Sequence, residues 1–186
     1  MIFIGDLHGE IHTLRNKIEE LSIKGETFIQ VGDFGLGFKS KRNLDINLLY
    51  QLNEFLSSIG SEMYVIRGNH DNPSYWYSQT ENFTHLHLIK DNELFPVEDK
   101  NVLFIGGAHS INRIELVQRK NWWKGESINM LTNLDRYFAK VSTIDIVVSH
   151  SSPSLFYPHF DGEQLNYFLR KDLKLKELIF NKTNKQ

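Results

Sequence analysis

The first nine residues, MIFIGDLHG (residues 1–9), join an apolar run to a polar turn that is bounded by two glycines. Residues 1–5 have the composition of a buried β-strand. In extended chain, residues i and i+2 point to the same side, so Asp6 and His8 can bind one ion together. The two glycines permit the sharp turn that brings the backbone close. A strand-ending turn with incidental polar residues would give the same pattern, so this segment alone leaves both interpretations open.

The same pattern, an apolar run followed by polar residues, recurs three more times along the chain. The segments are GD at 32–33 after a predicted strand at 27–31, GNHD at 68–71 after one at 63–66, and His150 after one at 144–149. Taken singly, each has an ordinary explanation, such as an Asp that caps a turn or a surface histidine. Taken together, carboxylate, imidazole and amide groups at successive strand ends make a ligand set for two divalent metals.

Helical periodicity separates the first three predicted strands. Apolar residues mark one face of a helix from Ile11 to Leu21 and of a second helix from Leu44 to Ile59,. Strands and helices that alternate at this spacing indicate βαβ units and a parallel sheet.

The middle and the end of the chain differ from the first third. Short strand candidates lie at 85–89, 94–97 and 102–105, with Asp and Asn turns between them, and they predict an antiparallel meander,. Further helices are predicted over 127–140 and 163–180. Neither a linker nor a repeat interrupts the pattern, so residues 1–186 are predicted to form one domain.

Composition excludes several classes of function. The 186 residues are 40% hydrophobic and carry a net charge of −2, which argues against a surface dedicated to coating nucleic acid,. Because cysteine is absent, disulfides, thiolate zinc sites and cysteine nucleophiles are excluded,. The sequence shows neither an apolar run of membrane-spanning length nor a signal peptide, so we expect a cytoplasmic protein without a membrane partner.

The order, spacing and strand context of the four polar segments resemble the calcineurin-like metallophosphoesterase family. Its signature is Gly-Asp-x-His-Gly, then Gly-Asp, then Gly-Asn-His-Asp/Glu, then a strand-end histidine, then Gly-His-x-His. The chain matches the first four segments over residues 5–150. A narrower resemblance, to a phage and bacterial branch, rests on GDFG at 32–35, GGAHS at 106–110, and the pair at 122–123 with Glu126.

The family resemblance implies an α/β fold, a four-layer αββα sandwich of two mixed β-sheets flanked by helices. It also implies hydrolysis of a phosphomonoester, a phosphodiester or a nucleotide through a water activated by two divalent metal ions. Mn²⁺ is the first choice, with Fe, Zn²⁺ and Ni²⁺ as alternatives, because a mixed oxygen and nitrogen ligand set accepts several metals.

The resemblance assigns separate roles to the polar residues. Asp6 and His8 would bind the first metal, Asp33 would bridge both, and Asn69 and His150 would bind the second. His70 would be the catalytic histidine and would protonate the leaving oxygen. Its neighbour Asp71 is the candidate that would orient the imidazole.

Four further positions are candidates for substrate binding. Lys39 and Arg42, with Lys41 between them, follow Asp33 in a loop that can reach a substrate phosphate, although a solvated loop fits the same sequence,. His109 lies after two glycines and can approach the site. Trp122 can form an aromatic wall on which the base of a nucleotide or nucleic acid stacks, although a core tryptophan pair fits equally.

The chain departs from the family pattern at two places. Leu36 stands where protein phosphatases carry a second Asp, three residues after the bridging Asp, which counts against that class. No Gly-His-x-His follows His150, and the only later histidine is His159. The resemblance thus implies a C-terminally truncated member, in which His159, another chain or water fills the open metal positions.

This second departure supports an alternative function. The chain would then be a catalytically impaired or partner-completed member that binds a phosphate ligand or a protein. An unpaired sheet edge near the C-terminus would favour a homo-oligomer.

Overall fold

Two β-sheets pack face to face at the centre of the molecule. The computed structural model describes residues 1–37, 46–79, 83–127, 135–152 and 162–180. The strands are β1 (Ile2–Ile4), β2 (Thr27–Gln30), β3 (Glu62–Val65), β4 (Leu86–Leu88), β5 (Glu93–Val97), β6 (Lys100–Ile105) and β7 (Ile146–Ser149). The helices are α1 (Ile11–Glu20), α2 (Ile46–Ser58), α3 (Pro73–Gln79), α4 (Asp135–Phe138), α5 (Gly162–Lys171) and α6 (Leu173–Phe180), with a 3₁₀ turn at Arg113–Glu115.

The first sheet is parallel throughout and has the order β1-β2-β3-β4. Helices α1 and α2 cover one of its faces, where Ile11, Ile18 and Leu52 pack against Phe28 and Met63. Apolar residues at spacings of three and four put one stripe of each helix into this core. The predicted βαβ arrangement of the first three strands is therefore confirmed.

The second sheet has the order β5-β6-β7, with β5 and β6 antiparallel and β6 and β7 parallel. Its inner face meets the other face of the first sheet, where Ile29 and Ile66 pack with Val102, Phe104 and Val148. The outer face is only partly covered within the described residues, since Val147 is 56% exposed while Leu103 beside it is buried.

The predicted two-sheet α/β architecture is confirmed, but two details of the strand prediction are wrong. The first sheet is parallel rather than mixed, and β4 belongs to it rather than to an antiparallel meander. The reason is the unpredicted helix α3, because a connection through a helix returns the chain parallel to β3. Only β5 and β6 form the expected hairpin.

The helix predicted over 163–180 is two helices, α5 and α6, which meet at Asp172. The Asp172 carboxylate accepts the backbone N–H of Leu175 at 3.0 Å, as an N-cap of α6 does,. The same carboxylate is hydrogen-bonded by the Arg113 guanidinium at 2.5 and 2.8 Å. Of the helix predicted over 127–140, only α4 is helical among the described residues, and positions 128–134 lie outside them.

A bilayer-spanning segment is not found among these helices, because none of those described has the required length and apolar character.

A buried ion pair joins the loops that follow the strands. Arg67, just beyond β3, donates from Nε and Nη2 to the Asp91 carboxylate at distances between 2.6 and 3.0 Å. Its Nη1 donates to the carbonyl oxygen of Glu126 at 3.0 Å, and its own carbonyl accepts from Gly107 at 2.7 Å. The side chains of Arg67 and Asp91 are only 1% and 3% exposed, so neither charge has water as a substitute partner.

We expect Asp91→Ala to lower the free energy of unfolding by about 3–5 kcal/mol, because Arg67 would stay buried without its counter-ion. Urea denaturation measures the change. The matched control is Glu20→Ala, which removes an ion pair with Lys17 whose side chains are 60% and 66% exposed. That control should lower the free energy of unfolding by less than about 1 kcal/mol. If Asp91→Ala lowered it by as little as the control does, the structural role of the Arg67–Asp91 pair would be contradicted.

Candidate metal centre

The polar turns that follow β1, β2, β3 and β7 meet at one end of the two sheets. These turns bring together six residues that were predicted from the sequence as metal ligands or as the catalytic histidine. They are Asp6, His8, Asp33, Asn69, His70 and His150. Parallel strands place their carboxyl ends on the same edge, which is why turns far apart in sequence share one site.

Asp6, His8 and Asp33 form the first group of candidate ligands. One ligand atom from each lies within 4.8 Å of the others. The Nε2 atom of His8 is 3.9 Å from Asp6 Oδ2 and 3.8 Å from Asp33 Oδ2. His8 and Asp33 have φ values of 45° and 51°, in the left-handed region that non-glycine residues rarely adopt,. Unfavourable backbone at two neighbouring ligands is typical of functional sites.

Asn69 and His150 form the second group. His150 Nδ1 lies 2.9 Å from the carbonyl oxygen of Val31, which can only accept, so in the neutral ring the proton is on Nδ1,. The lone pair of Nε2 then faces Asn69 Oδ1 at 3.1 Å and Asp33 Oδ1 at 3.5 Å. Three atoms that offer electron pairs converge there, and a ring nitrogen fixed by a backbone carbonyl is the usual support of a metal-binding histidine.

Asp33 lies between the two groups and presents one oxygen to each. Oδ2 faces His8, whereas Oδ1 faces His150 and accepts the backbone N–H of His70 at 3.0 Å. Its side chain is only 6% exposed. A carboxylate that shares its oxygens in this way can bridge two ions at the separation of roughly 3.5–4 Å found in two-metal sites.

The carboxylate of Asp71 fixes the turn that carries Asp33 against the turn that carries Asn69. It is fully buried and accepts four backbone N–H groups, those of Phe34, Gly35, Leu36 and Gly68, at 3.1, 2.7, 2.8 and 2.7 Å. Burial raises the pKa of this carboxyl group, and the backbone donors oppose the rise.

His70 takes its orientation from another part of the chain than the sequence suggested. Its Nδ1 lies 3.2 Å from the carbonyl oxygen of Asn121, and its own carbonyl accepts from Trp123 Nε1 at 3.0 Å. The hydrogen bonds described for the Asp71 carboxylate come from backbone N–H groups, and the contact described for His70 Nδ1 is the Asn121 carbonyl. Sequence reasoning missed Asn121 because a backbone carbonyl is present at every position and leaves no signal in residue type.

Gly32 permits His150 to approach the site. Its φ is +106°, and a Cβ atom built on it would lie 2.3 Å from His150 Nδ1. Any larger residue would therefore displace the imidazole as well as strain the backbone.

The predicted substrate residues have different outcomes. Lys39, Lys41 and Arg42 lie outside the described residues, as does His159. The Nδ1 atom of His109 is 2.9 Å from Ser127 Oγ, so that nitrogen contacts a neighbouring loop.

Trp122 lines a cavity of about 480 Å³ together with Ile114, Lys171 and Leu173. Trp122 is next in sequence to Asn121, whose carbonyl oxygen contacts His70. A larger groove of about 710 Å³ lies between α1 and α2, and the six candidate site residues line neither of these two cavities.

Comparison with known proteins agrees with this geometry. The family model described as calcineurin-like phosphoesterase matches residues 1–180. No curated protein matches the chain. Proteins of the matched family are phosphoesterase hydrolases that use two divalent metals.

We expect Gly32→Ala to weaken the binding of one of two Mn²⁺ ions by about 10-fold or more, because it displaces His150. Calorimetric titration of the metal-free protein measures the affinity. Gly25→Ala is the matched control, since Gly25 is also left-handed, with φ +68°, but a Cβ there would meet nothing within 4 Å. The control should lose some stability and keep its Mn²⁺ affinity. Equal affinities in the two variants would show that His150 is not a ligand.

Proposed function

The chain belongs to the calcineurin-like phosphoesterase family, and from that premise we propose that the turns after β1, β2, β3 and β7 form its dinuclear metal centre. In this proposal Asp6 and His8 hold one divalent ion and Asn69 and His150 hold the other. Asp33 bridges the two. The observation that carries the proposal is the position of Asp33, whose Oδ2 faces His8 and whose Oδ1 faces His150.

The donor atoms fit such ions. Carboxylate and amide oxygens with imidazole nitrogens suit Mn²⁺, which we propose as the metal, while Fe, Zn²⁺ and Ni²⁺ accept the same set. Ions bound there would neutralise charge on the phosphoryl oxygens and make a nearby water a better nucleophile at neutral pH. The reaction proposed is the hydrolysis of a phosphate ester.

His70 is the proposed general acid for the leaving oxygen. With the Nδ1 proton directed to the Asn121 carbonyl, Nε2 is the nitrogen that exchanges a proton with the substrate,. The ring lies beside the first ligand group, with its centroid 5.5 Å from that of His8. The neutral carbonyl of Asn121 contacts Nδ1, and Leu36 occupies a buried core position.

The cavity at Trp122 is the proposed site for the leaving group. An indole face gives a planar group such as a nucleobase a surface on which to stack. Charged side chains line the same cavity, those of Arg113, Lys171, Asp172 and Lys174, and can contact the polar groups of a nucleoside. We therefore favour a nucleotide among the phosphate esters.

Manganese-dependent hydrolysis of an aryl phosphate tests the proposal. Asp33→Asn and His70→Ala should each remove most of the turnover, His70→Ala by about 10²–10⁴-fold, because one loses the bridge and the other the proton donor. The controls are Asp99→Asn and His12→Ala, which change the same residue types at exposed positions. They should keep wild-type rates.

Metal-dependent turnover that survives both site substitutions would place the chemistry elsewhere. A wild-type protein that binds little Mn²⁺ and shows no turnover would instead favour the partner-completed or ligand-binding alternative.

For the leaving-group site, we expect Trp122→Ala to raise the KM for a nucleoside monophosphate by about 5- to 100-fold, the range that one stacked base contributes. The KM for methyl phosphate, which has nothing to stack, should not change. Tyr50→Ala, which removes an aromatic side chain that is 48% exposed on α2, is the control. Equal changes in KM for the two substrates would refute stacking at Trp122.

A further inference from the structure

A chain of hydrogen bonds runs from Asn69 into the interior. Asn69 Nδ2 donates to Ser110 Oγ at 2.9 Å, and Ser110 Oγ donates to Glu126 Oε2 at 2.7 Å. The backbone N–H of Ser110 also donates to Glu126 Oε1 at 3.0 Å. Ser110 and Glu126 are only 3% and 2% exposed, so water does not compete for these contacts.

The direction of these hydrogen bonds follows from Ser110. Its single hydroxyl proton is donated to Glu126 Oε2, beside the backbone N–H that donates to Oε1,. The hydroxyl oxygen can then only accept from Asn69, which requires the amide NH₂ group on that side. The carbonyl oxygen Oδ1 is thereby turned toward His150 Nε2, 3.1 Å away.

The residue that carries this carboxylate is also held through its backbone. The backbone carbonyl of Glu126 accepts from Arg67 Nη1 at 3.0 Å and from the N–H of Ala108 at 3.0 Å. Burial raises the pKa of Glu126, and the two donors from Ser110 oppose the rise. Burying a carboxylate is costly unless hydrogen bonds compensate, and two of the compensating donors here belong to Ser110, which contacts Asn69,.

We infer that Ser110 and Glu126 are positioning residues, which hold the Asn69 amide with its oxygen toward the second metal position. This inference rests on the proposed function. Without Ser110, the two orientations of the amide would be close in energy, and in one of them the NH₂ group would face a cation. Groups that orient a metal ligand typically contribute 10- to 100-fold to metal affinity.

The test is calorimetric titration of the metal-free full chain with Mn²⁺. Ser110→Ala should weaken one class of site by about 10- to 100-fold and leave the other unchanged. The control is Ser61→Ala, which removes another buried hydroxyl, one that accepts the N–H of Glu26 at 3.1 Å. The control should lose a similar amount of metal-free thermal stability without changing either affinity.

A second measurement separates orientation from general damage. In the Asn69→Asp background the side chain has two equivalent oxygens and no NH₂ group to misplace, so Ser110→Ala should then change the affinity by less than about 3-fold. An equal loss in both backgrounds, or equal weakening of both sites, would overturn the inference. The inference would also be overturned if the wild-type chain bound two Mn²⁺ ions and Ser110→Ala bound them with unchanged affinity. A wild-type chain that binds no Mn²⁺ would instead overturn the proposed function, and this inference with it.

Discussion

The buried carboxylate of Asp71 is the interaction on which the site depends. It accepts backbone N–H groups from the turn after β2 and from the turn after β3, and those turns carry Asp33 and Asn69. Without an acceptor the buried donors would be unsatisfied, each at a cost of about 1–3 kcal/mol. The relative position of Asp33 and Asn69 is therefore set by a third residue, which is fully buried.

A second set of contacts extends this rigidity to the loops between the sheets. Arg67 binds Asp91 and the carbonyl of Glu126, and Glu126 binds Ser110, which reaches Asn69. The segment that contains Glu126 also supplies the carbonyl and the indole that contact His70. The proposed ligands and the proposed acid are thus supported by one continuous network in the described part of the chain, and most of its charged members are buried.

Hydrophobic periodicity predicted the helices and strands that bury one face or one continuous apolar run. Helix α1 and strand β2 each bury one recognisable stripe or run, and both were predicted to within a few residues. Strand β4 was recognised but given the wrong partner, because its pairing depends on the short helix α3, whose sequence PSYWYSQ carries no clear stripe. The break between α5 and α6 depends on Asp172, and a capping carboxylate inside a helical pattern looks like an exposed helix residue.

The sequence by itself determined the family and the polar residues that follow the strands, since residue type and local spacing carry that information. It also predicted Asp33 as the residue between two ligand groups. Only the tertiary structure decided what supports them: Asp71 holds two turns, the Asn121 carbonyl contacts His70, and Ser110 with Glu126 fixes the Asn69 amide. The physical reason is that hydrogen-bond direction and backbone contacts depend on which segments meet in space. Phe34 and Asp71, 37 positions apart, and Arg67 and Glu126, 59 positions apart, meet only in the folded chain.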